Sequence, residues 1–152
     1  MELNTAGRYA VMAMADLAKQ ESDAATSLAT IAARQNLSAA YLEQLFLKLR
    51  RAGLVESARG RHGGYRLGRR ACDISIADIM RAVEEETRMT SCLGENSVGC
   101  RGKEKCLTHD LWHALGENIR GFLESVSLQE VLDGIPAAKR RSRTAARGLV
   151  LE

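Results

Sequence analysis

The sequence predicts a mainly α fold with one small two-stranded β element and a long C-terminal helix. Of its 152 residues, 45% are hydrophobic, only 4% are aromatic and one is proline, which is typical of one small helical domain with an appended segment. Apolar residues recur at helical spacing through most of the chain, whereas strand-like alternation flanks the glycine-rich segment 59–64.

Three helices are predicted before residue 52. The first buries an apolar face made of Leu3, Ala6, Ala10, Ala13, Met14 and Leu17. The second is short and follows the possible caps Thr26 and Ser27, and the third opens at the N-cap Ser38. The third helix buries Leu42, Leu45, Phe46 and Leu49. The second and third helices are separated only by a short turn at residues 35–37. This arrangement predicts a helix-turn-helix, although any corner between two helices looks similar.

The third helix carries candidate DNA-reading residues. In a helix-turn-helix, the second helix places its exposed N-terminal residues in the major groove. The outward residues here are Ala40, Glu43 and Gln44. Gln44 suits adenine, Glu43 can accept from cytosine or repel phosphate, and Ala40 can touch a thymine methyl group. Tyr41 either contacts a phosphate or packs against the first helix.

A small β wing is predicted next. Residues 54–58 and 65–67 alternate as two strands, and the basic, glycine-rich tip 59–64 joins them. Arginine at such a tip favours a narrow minor groove, so Arg59 and Arg61 are candidate DNA contacts. A nucleotide-binding glycine loop would need a helix after the glycines, whereas here a strand follows them.

The net charge of +3 conceals a segregated distribution. Lys and Arg outnumber Asp and Glu by 11 to 6 in residues 1–70, are outnumbered by 12 to 6 in residues 71–134, and exceed them by 5 to 1 in residues 135–152. From Lys48 to Arg70 the only acid is Glu56, as expected of a surface that meets phosphates. A solvated basic face would show the same charge, so the winged helix-turn-helix pattern decides in favour of DNA.

Three of the four cysteines and one histidine gather before the last long helix. Their spacing, Cys92-x7-Cys100-x5-Cys106-x2-His109, supplies three thiolates and an imidazole, a complete ligand set for tetrahedral zinc or an iron-sulfur cluster. The absence of a tight C-x2-4-C knuckle slightly favours a cluster. His113 is a weaker substitute for His109, and Cys72 stands apart as a structural bystander.

The last long helix begins near Thr108 and carries a heptad stripe. Its dimerisation candidates are Trp112, Leu115, Ile119, Phe122 and Val126. Because the small domain has already used its interior, the stripe predicts a homodimer in which this helix packs against the same helix of a second chain. The alternative is packing within one chain.

These patterns divide the chain into four segments. A capping box at Ser75 and Asp78 opens a fourth helix, so the winged helix-turn-helix DNA-binding domain is predicted over residues 1–86. The cluster-binding loop follows at 87–107, and the dimerisation helix with a short final helix at 108–134. Residues 135–152 have little apolar periodicity and predict a disordered basic tail with weak attraction to DNA.

Other classes of protein fit the sequence poorly. No stretch approaches the roughly 20 apolar residues that span a bilayer, and the N-terminus lacks signal-peptide order, so we expect a cytoplasmic protein with no membrane partner. In that reducing compartment the thiols predict a metal or redox site rather than disulfides. An enzyme or electron carrier is disfavoured, because no Ser/His/Asp set, paired-carboxylate motif or cofactor fingerprint is present and the basic wing would be unexplained.

The stretches "GRYAVMAM", "YLEQLFLKLRRAGLV", "RGRHGGYRLG" and "CLTHDLW" resemble the IscR family of bacterial winged-helix transcription regulators, from Met1 to about Leu132. The resemblance implies a homodimer that binds a double-stranded DNA operator, as repressor or activator, and controls iron-sulfur cluster assembly genes. It implies a [2Fe-2S] cluster, donated by the cluster-assembly machinery and held by Cys92, Cys100, Cys106 and His109. It also implies that the helix from Ser38 and the wing residue Arg59 touch DNA, while Glu43 tunes the accepted operator class.

One feature departs from this family's pattern. The seven residues between Cys92 and Cys100 form a longer gap than in the best-known IscR proteins, and this gap is similar to that of the iron regulator RirA. The nitric oxide sensor NsrR shares the same scaffold. A [4Fe-4S] cluster with an iron or nitric oxide signal is therefore one alternative, and a zinc-stabilised DNA-binding protein is another.

Overall fold

The computed structural model describes residues 5–20, 24–84 and 106–140. They form α1 (Thr5–Lys19), α2 (Leu28–Gln35), α3 (Ala39–Arg51), β1 (Val55–Ala58), β2 (Gly64–Leu67), a 3-10 turn (Ala71–Asp73), α4 (Ile76–Ala82), α5 (His109–Ser125), α6 (Leu128–Asp133) and α7 (Ala137–Arg140). The predicted mainly helical fold with a two-stranded wing is confirmed. None of the helices in these ranges has both the length and the apolar character needed to cross a membrane. Leu3, predicted on the first helix, lies outside the described residues.

Helix α1 lies at the centre of the fold and packs against α2, α3, α4, α6 and β2. Its predicted inward residues Ala10, Ala13, Met14 and Leu17 are buried, and Ala6 packs partly buried against them. The predicted inner face of α3 is buried as well, at Leu42, Leu45, Phe46 and Leu49. The ring of Phe46 meets that of Tyr65 in β2 edge to face, with centroids 4.9 Å apart, so the core joins the helix-turn-helix to the wing.

Two serine caps define the helix-turn-helix. Ser27 Oγ accepts a hydrogen bond from the Thr30 N–H at 3.2 Å, and Ser38 Oγ accepts one from the Tyr41 N–H at 3.3 Å. Each satisfies a backbone donor that a helix start leaves unpaired. Asn36 ends α2 with φ 53°, a left-handed conformation that asparagine tolerates better than most residues. The turn is as short as predicted, but it covers residues 36–38 rather than 35–37, because Gln35 is still part of α2.

The wing is tied to the start of α2. Strands β1 and β2 pair antiparallel, with Val55 opposite Leu67. Thr26 adds an isolated bridge to Tyr65, whose two main-chain hydrogen bonds measure 2.9 and 2.8 Å. Gly64 permits this approach, because a Cβ atom there would lie 2.3 Å from the Thr26 carbonyl oxygen. The wing and the helix-turn-helix consequently form one unit.

The C-terminal end of α5 returns to the start of α4 through main-chain bonds. Ser75 and Ser127 form an isolated antiparallel bridge. Beside it the Ile76 N–H donates to the Val126 carbonyl at 2.9 Å, and the Leu128 N–H donates to the Ile74 carbonyl at 2.8 Å. The bridge serines also open α4 and α6 with capping boxes, the predicted one between Ser75 and Asp78 and a second between Ser127 and Glu130.

Two predictions for the C-terminal part are wrong. Val126 was assigned to the dimer stripe, but α5 ends at Ser125 and the extended backbone of Val126 turns its side chain into the core, where it is buried. The disordered tail was predicted from residue 135, but residues 137–140 form α7. Lys139 Nζ donates to both carboxylate oxygens of Glu130, at 2.6 and 2.7 Å, and to the Ser125 carbonyl. Residues 141–152 lie outside the described residues.

Candidate nucleic-acid interface and metal ligands

No described residue packs over the outer face of α3 closely enough to bury it. Ala40, Glu43 and Gln44 are all exposed near the start of the helix, where a recognition helix meets bases. Leu47 is also exposed, by 48%, and lies on the same face, four residues after Glu43 and three after Gln44. Leu47 is not among the residues predicted from the sequence, although its helical spacing from Glu43 and Gln44 places it on their face.

Ser38 and Tyr41 have structural contacts at the same helix start. The Ser38 hydroxyl is used as the N-cap of α3, although the residue is exposed. The Tyr41 ring packs edge to face on Tyr9 of α1, with centroids 6.1 Å apart. Of the two roles predicted for Tyr41, packing against the first helix is therefore observed, and its hydroxyl remains a candidate for a phosphate contact.

Most cations between Lys48 and Arg70 have partners within the chain. Arg66 pairs across the strands with Glu56 at 3.1 Å, Arg69 donates to the Ala52 carbonyl at 3.2 Å, and Arg50 donates to Ser57 at 3.4 Å. These contacts brace the wing against α3. Arg59 and Arg61 are exposed at the wing tip, and within the described residues neither has a side-chain hydrogen bond or ion pair, which leaves both available to a ligand.

One ion pair links α3 to the end of α4. Lys48 Nζ lies 2.5 Å from a carboxylate oxygen of Glu84. The hydrogen bond and charge of Lys48 hold the pKa of Glu84 below its ordinary value. Glu84 is the last described residue before the cysteine-rich segment, so this pair joins α3 to the residue from which the chain enters that segment.

A buried carboxylate, which the sequence analysis missed, fixes α2 on α1. The Asp16 side chain is only 3% exposed. It accepts hydrogen bonds from Arg34 Nε at 3.1 Å, Gln35 Nε2 at 3.0 Å and Gln20 Nε2 at 3.4 Å, and Arg34 Nη2 lies 2.8 Å away. Because Arg34 and Gln35 end α2 just before the turn, the Asp16 cluster positions the helix-turn-helix.

Two of the four proposed metal ligands lie at the N-terminus of α5. Cys106 precedes the helix and His109 is its first residue, with the His109 N–H donating to the Cys106 carbonyl at 3.0 Å. Both residues are half-buried, and Cys106 Sγ lies 3.5 Å from Thr108 Oγ1. His113 is exposed one turn further along. Cys92 and Cys100 lie outside the described residues, and the described part of the chain contains no group of three metal-ligating side chains.

None of the 17 residues of helix α5 is buried in the described part of the chain. Leu111, Trp112 and Phe122 are exposed, while Leu115 and Ile119 are half-buried. These side chains lie on one side of the helix by their spacing, as the stripe in the sequence predicts. A long amphipathic helix with an uncovered apolar side is typical of an association surface.

Comparisons with known proteins agree with this arrangement. Residues 3–134 match the Rrf2 family, described as an iron-dependent transcriptional regulator. The chain is 47% identical over 133 residues to the HTH-type transcriptional regulator IscR of Photorhabdus laumondii, an alignment that covers 88% of this chain and 80% of that protein. These relatives are transcriptional regulators, which confirms the prediction of a regulator rather than an enzyme.

Solved structures show the same fold. T. potens IscR superimposes with a TM-score of 0.71 at 36% identity, covering 91% of this chain and 90% of that one. CymR, the global cysteine regulator of B. subtilis, superimposes with a TM-score of 0.72 at 34% identity, covering 88% of this chain and 97% of that one. The predicted resemblance is thereby confirmed, and the chain belongs to the Rrf2 family of transcriptional regulators.

Proposed function

We propose that this chain is a cytoplasmic homodimeric regulator that binds operator DNA and senses iron-sulfur cluster status through a bound [2Fe-2S] cluster. In this role it controls iron-sulfur cluster assembly genes, as repressor or activator, and receives its cluster from the cluster-assembly machinery. The observation that carries the proposal is the exposed face of α3 beside two wing arginines that have no ion pair among the described residues, in a chain whose sequence also holds a Cys3His ligand set. The similarity to IscR proteins supports the cluster assignment.

The proposed DNA contacts are of two chemical kinds, polar groups on α3 and arginines on the wing. Gln44 and Glu43 carry amide and carboxylate groups that can hydrogen-bond base edges in the major groove, and Ala40 leaves room for close approach of the helix. Arg59 and Arg61 extend from a glycine-containing tip and suit a narrow minor groove, where the negative potential is strongest. Base reading is therefore assigned to α3, and the wing adds shape readout and affinity.

The donor set fits an iron-sulfur cluster. Three thiolates and one imidazole provide four ligands of the soft type that iron-sulfur clusters and zinc accept. Cys106 and His109 lie at the N-terminus of α5, where the helix dipole is favourable to a bound group of negative charge. A bound cluster could be gained and lost, and a sensor requires this reversibility.

Dimerisation is assigned to α5. Leu111, Trp112 and Phe122 are exposed and lie on one side of a helix that has no buried residue of its own. A second copy of the same helix would cover this side in a two-fold arrangement, which is the commonest symmetry of soluble oligomers. Two recognition helices would then face two half-sites of one operator.

The contacts at the two ends of α5 offer a route from cluster to DNA. The C-terminal end is held on the DNA-binding domain by the bridge between Ser75 and Ser127, while two proposed ligands lie at its N-terminal end, about 25 Å away by helical rise. The pair between Lys48 and Glu84 connects α3 to the start of the cysteine-rich segment. A tenfold change in DNA affinity requires a differential of only about 1.4 kcal/mol between the two states.

Spectroscopy with metal counting tests the cluster assignment. Protein purified without oxygen should be brown, and its ultraviolet-visible and Mössbauer spectra should be those of a [2Fe-2S] cluster. Chemical analysis should count two iron and two sulfide per chain. Cys92→Ala, Cys106→Ala and His109→Ala should each alter this spectrum, whereas Cys72→Ala, the matched control, should not. Four iron per chain would support the iron-responsive or nitric-oxide-responsive alternative. A colourless protein with one tightly bound zinc would replace sensing by a structural metal.

A further inference from the structure

We infer that Leu47 is a specificity-determining residue that reads a thymine methyl group in the operator. The inference rests on the proposed function and deepens it, because it assigns a base-reading role to an apolar side chain of the recognition helix. It begins from the 48% exposure of Leu47 on α3.

Exposed large hydrophobic side chains are few among the described residues, and the others are accounted for by α5. They are Leu47, Leu107, Leu111, Trp112 and Phe122. All except Leu47 lie on α5 or just before it, where the proposed dimer covers an apolar surface. A single exposed leucine is ordinary on protein surfaces. The evidence for a role of Leu47 is therefore its position on α3 and not its exposure alone.

Leu47 lies at the middle of the outward face of α3. At 100° per residue it is within about 20° of Ala40 and within about 60° of both Glu43 and Gln44 around the helix axis. Arg51 follows one turn later on the same face, and both Arg51 and Leu47 are exposed. Any duplex that brings Glu43 and Gln44 to base edges therefore brings Leu47 towards the same groove.

The outward face of α3 is long enough to lie along several base pairs. Ala40 and Leu47 are seven residues apart, which is about 10 Å along the helix, or about three base-pair steps. The major groove presents one large apolar group, the C5-methyl of thymine, and aliphatic side chains recognise it by contact. Leucine has no hydrogen-bonding group, so it cannot read the polar edges of guanine, adenine or cytosine. Its apolar surface is thus matched to a single base.

The charges around Leu47 favour DNA over an apolar protein partner. Arg51 lies one turn further along α3, and the adjoining wing adds Arg59 and Arg61. A hydrophobic partner would have to desolvate these cations, whereas phosphates on either side of the groove neutralise them. The site of Leu47 is an apolar point within a basic surface, as major-groove contact requires.

Deoxyuridine substitution tests the inference directly. A duplex would first be selected from a random-sequence pool by the wild-type homodimer, and each thymine would then be replaced in turn by deoxyuridine. This change removes only the methyl group and keeps every hydrogen-bonding group. We expect one thymine per half-site at which wild-type affinity falls about fourfold, equivalent to about 0.8 kcal/mol.

Three variants identify the side chain that senses the methyl group. Leu47→Ala should bind the thymine and deoxyuridine duplexes equally, while Leu47→Met should retain the preference because it keeps an apolar side chain of similar size. Gln44→Ala is the control, and it should keep the same deoxyuridine sensitivity while relaxing selection at a different base. Leu47 is half-exposed, so these variants should fold, which circular dichroism would verify.

The outcomes separate this inference from the proposed function. If wild-type protein selects no preferred sequence, the proposed DNA-reading function fails as well. If it selects an operator but no thymine shows the methyl effect, or Leu47→Ala keeps that effect, the role of Leu47 is overturned and the DNA-binding function stands.

Discussion

Replacing Asp16 by asparagine should destabilise the fold far more than replacing an exposed carboxylate in an ion pair of equal length. Asp16 is 3% exposed and lies 2.8 Å from Arg34 Nη2, and it also accepts bonds from Arg34 Nε and Gln35. Asparagine has the shape of aspartate but no charge, and its amide N–H group would face the N–H donors of Arg34 and Gln35, to which it cannot hydrogen-bond. A charged hydrogen bond contributes about 1.5–3 kcal/mol and Arg34 is partly solvated, so we expect a loss of about 2–3 kcal/mol.

Glu117 supplies the matched control for Asp16. It pairs with Arg120 at the same 2.8 Å but is 51% exposed, so Glu117→Gln should lose only about 0.3–0.5 kcal/mol. Urea unfolding followed by circular dichroism measures both losses, at one protein concentration because dimer stability depends on it. The double variant Asp16→Asn/Arg34→Met should lose less than the sum of its single changes. Equal losses for Asp16→Asn and Glu117→Gln would refute the argument that burial makes the Asp16 cluster important.

Four further predictions follow from the described contacts. Glu84→Gln should free Lys48 for phosphate and steepen the slope of log affinity against log salt by about 0.9, measured on cluster-free protein by fluorescence anisotropy; an unchanged slope would contradict this role. The pKa of Glu130 is lowered by hydrogen bonds from Lys139 and Ser127, so docking of α7 should be complete above the ordinary value of 4.5 and weaken as pH falls through the lowered pKa. NMR shifts of residues 137–140 would follow that titration, and Glu130→Gln should abolish it. Phe122→Glu should yield monomers in analytical ultracentrifugation because it puts charge on the proposed dimer surface, and a stable dimer would exclude that surface. Gln44→Ala should relax sequence preference without loss of fold, and an identical selected operator would remove Gln44 from the reading face.

Local signals predicted most of the DNA-binding domain. Ser38 and Ser75 open helices at the predicted positions, because capping depends on residues within three or four positions in the sequence. The glycine-rich tip between two stretches of strand-like alternation likewise predicted the wing. These features require no knowledge of distant contacts.

The errors and omissions concern contacts between distant residues. Val126 continues the heptad spacing, but its main chain pairs with Ile76, 50 positions earlier in the sequence, and this pairing takes it into the core. Asp16 interrupts an apolar helix, and its partners Arg34 and Gln35 are 18 and 19 residues away. Lys139 was assigned to a disordered tail because composition alone does not reveal its contact with Glu130. The proposed ligand set remains a prediction, since two of its cysteines lie outside the described residues.

The most direct test of the central claim is the operator affinity of one anaerobic preparation before and after removal of its cluster. The selected duplex would be titrated with protein of known iron and sulfide content, then with the same protein after chelation, at one salt concentration. We expect at least a tenfold change in affinity while the dimer is retained, and no such change in Cys106→Ala. Equal affinity of the cluster-loaded and cluster-free dimers would contradict cluster sensing and leave a DNA-binding protein whose metal is structural.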